Sequence, residues 1–163
     1  MTLTQERLKE LLEYNPETGA FVWRFARGPR GAGAIAGSVG NRGYLVIRID
    51  FKIYLAHRLA FLYMTGRWPT ADTGHINCIR NDNRWTNLRE ATRGQNNANR
   101  GLTKQNKSGF KGVSWNSQNK KWVAHILHTY IGSFDDPREA HSAYCEAAMK
   151  LHGSYHRAVY DDV

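Results

Sequence analysis

The chain has 163 residues, 41% of them hydrophobic, and carries 23 Lys and Arg against 14 Asp and Glu, a formal charge of +9. That length allows one or two small domains, and the charge favours a polyanionic partner over a neutral or acidic one. No apolar run approaches the roughly 18 residues of a membrane span, and the charged start MTLTQERLKE is unlike a signal peptide, so a soluble, cytoplasmic protein with no membrane partner is expected.

Cys78 and Cys145 stand far apart, with neither the pairing of a zinc site nor the density of a secreted disulfide scaffold. The charge is uneven. Residues 1–101 carry 15 basic and 8 acidic side chains, and residues 102–163 carry 8 and 6.

From Thr4 to Tyr14 the spacing of Leu8, Leu11 and Leu12 predicts an amphipathic helix with Thr4 as its N-cap. The turn formers of Asn15 to Gly19 stop it, and FVWRF reads as a strand. A glycine-rich stretch runs from Ala26 to Gly43, and Thr18 to Ile49 holds five arginines and no acid. It is read either as a flexible loop or as a backbone that cradles phosphate. YLVIRID and FKIYLAHRL predict a hairpin around Asp50-Phe51-Lys52. The second strand runs into a helix with Leu59, Leu62 and Tyr63 buried, ended by Gly66 and Pro69.

The stretch Gly74 to Asn97 concentrates the chemistry. His75 is followed by Asn87 twelve residues on and Asn96 nine further, with Asp82-Asn83-Arg84 in a turn between. A histidine takes a proton from water near neutral pH. An amide holds a loop or ligates a hard cation, and Arg84, Arg89, Arg93 and Arg100 supply charge for phosphate. The pattern predicts a short strand before His75, a turn, and a helix over LREATRGQNNANR that carries Asn96 back towards His75.

This layout resembles the HNH endonucleases, and the N-terminal portion through HRLAFLYMTGRWP looks like the region preceding the HNH core in phage and prophage enzymes of bacterial hosts. The resemblance implies a ββα-metal (His-Me finger) site. In it His75 is the general base, Asn87 braces the loop and the imidazole, and Asn96 is a ligand to one divalent metal, Mg2+ or Mn2+. Gly74 departs from the pattern, because the family has an aspartate there as its main metal ligand. Asp72, two residues away on the same strand face, is the substitute candidate and Asp82 a weaker one. His57 is read as a packing or phosphate-contacting residue.

GLTKQNKS, from Gly101 to Ser108, is polar and aperiodic and reads as a linker. Beyond it SGFKGVSWN, KKWVAHILH and TYIGSF predict three strands, and Asp135-Asp136-Pro137 caps a helix to about His152 with a small apolar face. These elements, with KGV, KWVAxI, IGSF, EAxxAYxxA and LHG, resemble the Apetala-2/ethylene-response-factor DNA-binding domain. By that resemblance Lys111, Ser114, Trp115, Lys121, Trp122 and His125 face DNA. Core packing is the competing reading of Trp115 and Trp122. LHTY is shorter than that family's hairpin and lacks its glycine turn.

The expected fold is α+β. A nuclease domain over 1–100 with a helix and β-hairpin extension is joined by a linker, 101–107, to a small three-stranded antiparallel sheet plus helix over 108–158. The expected function is metal-dependent hydrolysis of double-stranded DNA, impaired by Gly74. The alternative is a catalytically inactive, sequence-preferring DNA-binding protein on a nuclease fold. An RNA-binding module is disfavoured, since neither unit matches a stacking-platform signature.

Overall fold

The computed structural model describes residues 2–26 and 31–157. Residues 27–30 of the glycine-rich stretch, and residue 158 at the end of the second expected domain, lie outside the described residues. The chain divides into two compact units, Met1–Thr92 and Arg93–Val163. Arg93, Asn96 and Arg100 therefore belong to the second unit, and so does the segment 101–107 read as a linker.

In the first unit α1 spans Gln5–Leu11, and the Thr4 hydroxyl accepts the Arg7 N–H at 3.3 Å. The helix is shorter than the leucine spacing predicts. Leu12 opens strand β1 (Leu12–Tyr14), antiparallel to β2 (Phe21–Trp23). Leu12 satisfies both a helical and an alternating pattern, and the buried-exposed-buried alternation of Leu12, Glu13 and Tyr14 prevails because it puts Leu12 and Tyr14 in the core and leaves Glu13 in water. The Asn15 side-chain oxygen accepts the N–H groups of Glu17 and Thr18 at 2.9 and 3.0 Å. Gly19 closes the turn at φ +74, a conformation glycine adopts without steric cost.

Strands β3 (Ser38–Val39), β4 (Leu45–Ile49) and β5 (Lys52–Leu55) form an antiparallel sheet in the order β3-β4-β5. The turn between β4 and β5 is tighter than expected, with Asp50 and Phe51 alone at positive φ and Lys52 already paired with Ile49. Helix α2 (Ala56–Thr65) follows β5 directly, and Gly66 at φ +76 ends it, its N–H bonded to the Leu62 carbonyl. Leu59, Ala60 and Leu62 on α2 join Leu8, Leu12, Phe21, Ile47 and Ile49 in one core. Each large member contributes about 1.5–3 kcal/mol by leaving water. Leu88 belongs to the same core and Trp85 packs against it, so the core anchors the C-terminal side of the loop that carries the asparagine-rich turn.

Strands β6 (Asp72–His75) and β7 (Leu88–Ala91) pair antiparallel, from Asp72 opposite Ala91 to His75 opposite Leu88. The helix expected from Leu88 starts only at Arg93, as α3 (Arg93–Asn99). Leu88 and Ala91 are buried in β7, and pairing with β6 satisfies backbone groups that an isolated short helix leaves open.

In the second unit β8 (Val113–Asn116), β9 (Lys121–Ile126) and β10 (Thr129–Phe134) form an antiparallel sheet with β9 central. Helix α4 (Pro137–His152) starts at Asp136, whose carboxylate accepts the Arg138 N–H at 2.7 Å. Ala140, Tyr144 and Ala148 pack on Val113, Ala124 and Ile126. Residues 101–112 are tied into this unit by polar bonds. Ser108 Oγ donates to the Val113 carbonyl at 2.8 Å, and Asn106 Nδ2 donates to the Phe110 carbonyl at 2.9 Å. Described residues show no helix long and apolar enough to cross a membrane.

A Cβ on Gly19 would lie 2.4 Å from the Arg84 nitrogen and 2.4 Å from the Asn83 carbonyl carbon. Gly19→Ala therefore destabilises the protein by about 2 kcal/mol or more. A Cβ on Gly101 meets nothing within 4 Å, so Gly101→Ala stays within about 0.5 kcal/mol of the parent. Thermal unfolding of the two variants checks the contrast.

Candidate functional site

His75 ends β6 and is 6% exposed. The loop after it is closed by side-chain amides. The Asn87 oxygen accepts the Asn77 N–H at 3.0 Å, and its Nδ2 donates to Asn77 Oδ1 at 2.9 Å and to the Asp82 carbonyl at 2.8 Å. Asp82 accepts from Asn77 Nδ2 at 2.7 Å and from Arg84 Nε and Nη2 at 2.8 and 2.6 Å. This closure turns Asn83 inward until it is 1% exposed.

Asn83 Oδ1 lies 3.1 Å from His75 Nε2, while Asn83 Nδ2 donates to the Asn81 carbonyl at 3.3 Å. An amide oxygen only accepts, so the bond puts the proton of the neutral ring on Nε2 and makes Nδ1 the basic nitrogen. Asn87 thus braces the loop, and Asn83, rather than Asn87, holds the imidazole. The Tyr14 hydroxyl donates to the Asn83 carbonyl at 2.7 Å, and the Trp85 N–H donates to the Pro16 carbonyl at 2.9 Å. The Asn15–Gly19 turn and β1 therefore form one wall of the site.

A second histidine borders the first. His57, in the first turn of α2, is 4% exposed, and its ring meets His75 edge-on with centroids 5.0 Å apart. Tyr44 lies 5.3 Å from His57 and 5.9 Å from His75, and the Arg80 guanidinium sits over Tyr44. Burial pushes His57 down to about 3, with the charges of His75 and Arg58 acting the same way. Burial also lowers His75, opposed by the Asn83 bond and the Asp82 charge and assisted by Arg80. Both shifts favour the neutral ring at pH 7, the form in which an imidazole accepts a proton.

The other expected residues are distributed differently. Arg84 is engaged by Asp82 rather than presented to a phosphate, and this bond leads the causes that push Asp82 down to about 2. Asp72 is exposed at the start of β6, opposite Ala91. Arg89 is half-buried opposite Gly74. Arg93 is exposed and Asn96 half-buried on α3, and Arg100 follows it, exposed. Among the described residues no group of three His, Cys, Asp or Glu is assembled to hold a metal ion. The donors around His75 do not fit a divalent cation, because the one carboxylate there is bound by Arg84 and Asn77.

On the second unit, Lys111 Nζ donates to the Ala98 and Arg100 carbonyls and so caps α3 instead of facing DNA. Trp122 is opposite Trp115 and Phe134 and packs against the core shared with α4, which corrects its assignment to an outward face. Trp115 is half-exposed and edge-on to it, centroids 5.1 Å apart. Lys121 pairs with Asp135 at 3.2 Å. Ser114 and His125 are exposed and, with Tyr130, line a groove on the sheet.

Asn83 as the imidazole partner and Tyr14 and Tyr44 as walls are not expected from the sequence, whereas His57 packs, one of its two expected roles. The N-D-N-R turn was a signal for Asn83, but local sequence does not say which amide points inward.

Residues 54–98 match the family model described as HNH endonuclease. The match runs from β5 into α3 and takes in His57, His75, Asn87 and Asn96. An HNH endonuclease domain is thus present in this part of the chain. No curated protein and no solved structure matches the chain.

The lowered values of His57 and His75 carry a pH signature. A histidine whose folded value lies below the unfolded one, about 6.5, stabilises the fold less as pH falls, because the unfolded chain takes the proton first. For His57 the loss begins near pH 6.5 and continues towards about 3. Stability should fall by up to about 1.4 kcal/mol per pH unit per histidine, before the Asp82 contribution, lost as pH drops from 3.8 towards about 2, sets in. Urea unfolding between pH 7 and 5 checks this, and His57→Gln should make the slope shallower.

Proposed function

We propose that the chain is an HNH-type endonuclease acting on double-stranded DNA, with His75 as general base and cleavage limited by Gly74. The observation that carries the reading is the family match over residues 54–98, centred on a buried, oriented and neutral imidazole. Asn87 serves by fixing the loop that holds Asn83. HNH nucleases generally use a divalent metal, which supplies stabilisation of charge on the phosphate oxygens that proton removal worth about 10²–10⁴-fold does not replace. The expected ligands of Mg2+ or Mn2+, Asn96 and Asp72, belong to different units, and the carboxylate beside His75 is already bound, so the residues present do not fit that metal and no step is assigned to it.

One observation favours a second reading. Asp82 is bound by Arg84 and Asn77, and position 74 has no carboxylate. A DNA-binding protein on a nuclease core would look like this. In both readings the sheet of the second unit is proposed as an Apetala-2/ethylene-response-factor-like DNA contact, through exposed Ser114 and His125, which share a face, while Trp115 sits on the face of its partner Trp122. That assignment rests on the sequence resemblance and on the three-stranded sheet with its helix.

A plasmid-nicking assay with Mg2+ or Mn2+ separates the readings. Gly74→Asp should raise cleavage by at least about 10–100-fold, the range that outer-shell ligand changes cost elsewhere, with DNA affinity in chelator unchanged. His75→Ala in that background should remove the gain. Binding without cleavage in every version would establish the second reading. In either case affinity should fall with salt by about −0.9 in the log–log slope per phosphate neutralised, and a slope near zero would contradict both.

A further inference from the structure

Phe51, at the tip of the β4–β5 hairpin, is 97% exposed, more than any other large apolar side chain among the described residues. Its φ is 65 and that of Asp50 is 45. A two-residue turn of this kind wants positive φ at both positions, which is why Asn-Gly dominates there. A bulky aromatic in that region is a rare outlier. The ring belongs to no core cluster of the described residues, so folding gains nothing from it, and its backbone conformation works against it. Residues held in such conformations gather at binding and active sites.

The surroundings say what the ring meets. Ile53, 62% exposed, stands opposite exposed Arg48 in the β4–β5 register, and both line a groove with Trp23 and Ser38 on the outer face of the sheet. Lys52 is exposed next to the ring. The acid of the turn, Asp50, is compensated by Arg7 at 3.3 Å. Arg7 also pairs with Glu10, so the cations that flank the ring are Arg48 and Lys52. The tip is an apolar wedge in a cationic frame, complementary to a polyanion whose interior is a stack of aromatic planes.

We propose that the β4–β5 hairpin is a DNA-binding element that inserts Phe51 between neighbouring base pairs of a duplex, with Arg48 and Lys52 on the flanking phosphates. The proposal rests on the reading of the chain as a DNA-acting protein. Apolar side chains that enter between base steps unstack and kink the duplex. Pyrimidine–purine steps yield most easily, so the wedge would favour them without reading base edges.

The full-length chain is titrated into duplexes carrying 2-aminopurine at several pyrimidine–purine steps, with thermal unfolding of each variant alongside. The parent should raise the fluorescence as it binds. Phe51→Gly relieves the left-handed backbone, so its Tm should be unchanged or higher, while the fluorescence rise disappears. Its affinity should weaken by at least about 5-fold at the same salt, the lower end of what one lost base–aromatic stack costs. A Phe51→Gly protein that binds and unstacks like the parent overturns the wedge alone. A lowered Tm overturns it by making the ring a structural residue, and a dimer that becomes monomeric with DNA binding unchanged overturns it by making the face a contact between copies. A parent that binds no duplex even at low salt overturns the wedge and the proposed function together.

Discussion

The hydrogen bond between Asn83 and His75 is the contact on which the rest of the first unit depends. Both side chains are almost fully buried, and a buried polar group left without its partner costs about 1–3 kcal/mol. Neither residue reaches the other unless the loop between β6 and β7 closes as it does. Asn77, Asp82 and Asn87 close it from within. Tyr14 and the Asn15–Gly19 turn press on it from the N-terminal side. The helix and hairpin before the nuclease motif are thus part of how its imidazole is positioned. A general base at position 75, as proposed above, would be placed by packing before any substrate arrives, the condition for catalysis by pre-placed groups.

Burial also sets the chemistry of that imidazole. Desolvation lowers His75, and the edge-on ring of His57 is itself kept neutral in the same pocket. A base with a lowered pKa is fully available at pH 7, though intrinsically weaker as a proton acceptor. Arg84 and Asp82 neutralise each other, and the cation beside the rings is Arg80, over Tyr44. That field suits an incoming phosphate. Among the described residues the carboxylate nearest His75, Asp82, is already bound by Arg84 and Asn77.

How much of this could be read from the sequence depends on the length scale. The β4–β5 hairpin, α2 with its glycine stop, and the three strands and helix of the second unit follow from local period and turn chemistry. Elements decided by tertiary pairing do not. Leu12 fits a helix and a strand equally, and Leu88 to Ala91 read as helical until β6 offers a partner. At the site, His75 and Asn87 were marked by motif spacing. Asn83 was one amide in an asparagine-rich turn, and only the closed loop distinguishes it. Lys111, Lys121 and Arg84 show a different limit. A basic side chain counts towards the net charge wherever it lies, but its partner is invisible in the sequence, and these three are engaged by carbonyls or carboxylates of the protein itself.

The cleavage proposed for the first unit requires a neutral histidine held at position 75 by burial and by one amide. Heteronuclear NMR titration of the imidazole nitrogens in the full-length protein tests this most directly. His75 should titrate below 6.5 with the proton of its neutral form on Nε2, and His57 should stay neutral down to the pH at which the protein unfolds. A His75 that titrates at or above 6.5, or that carries its proton on Nδ1, would contradict the role assigned to Asn83 and to burial.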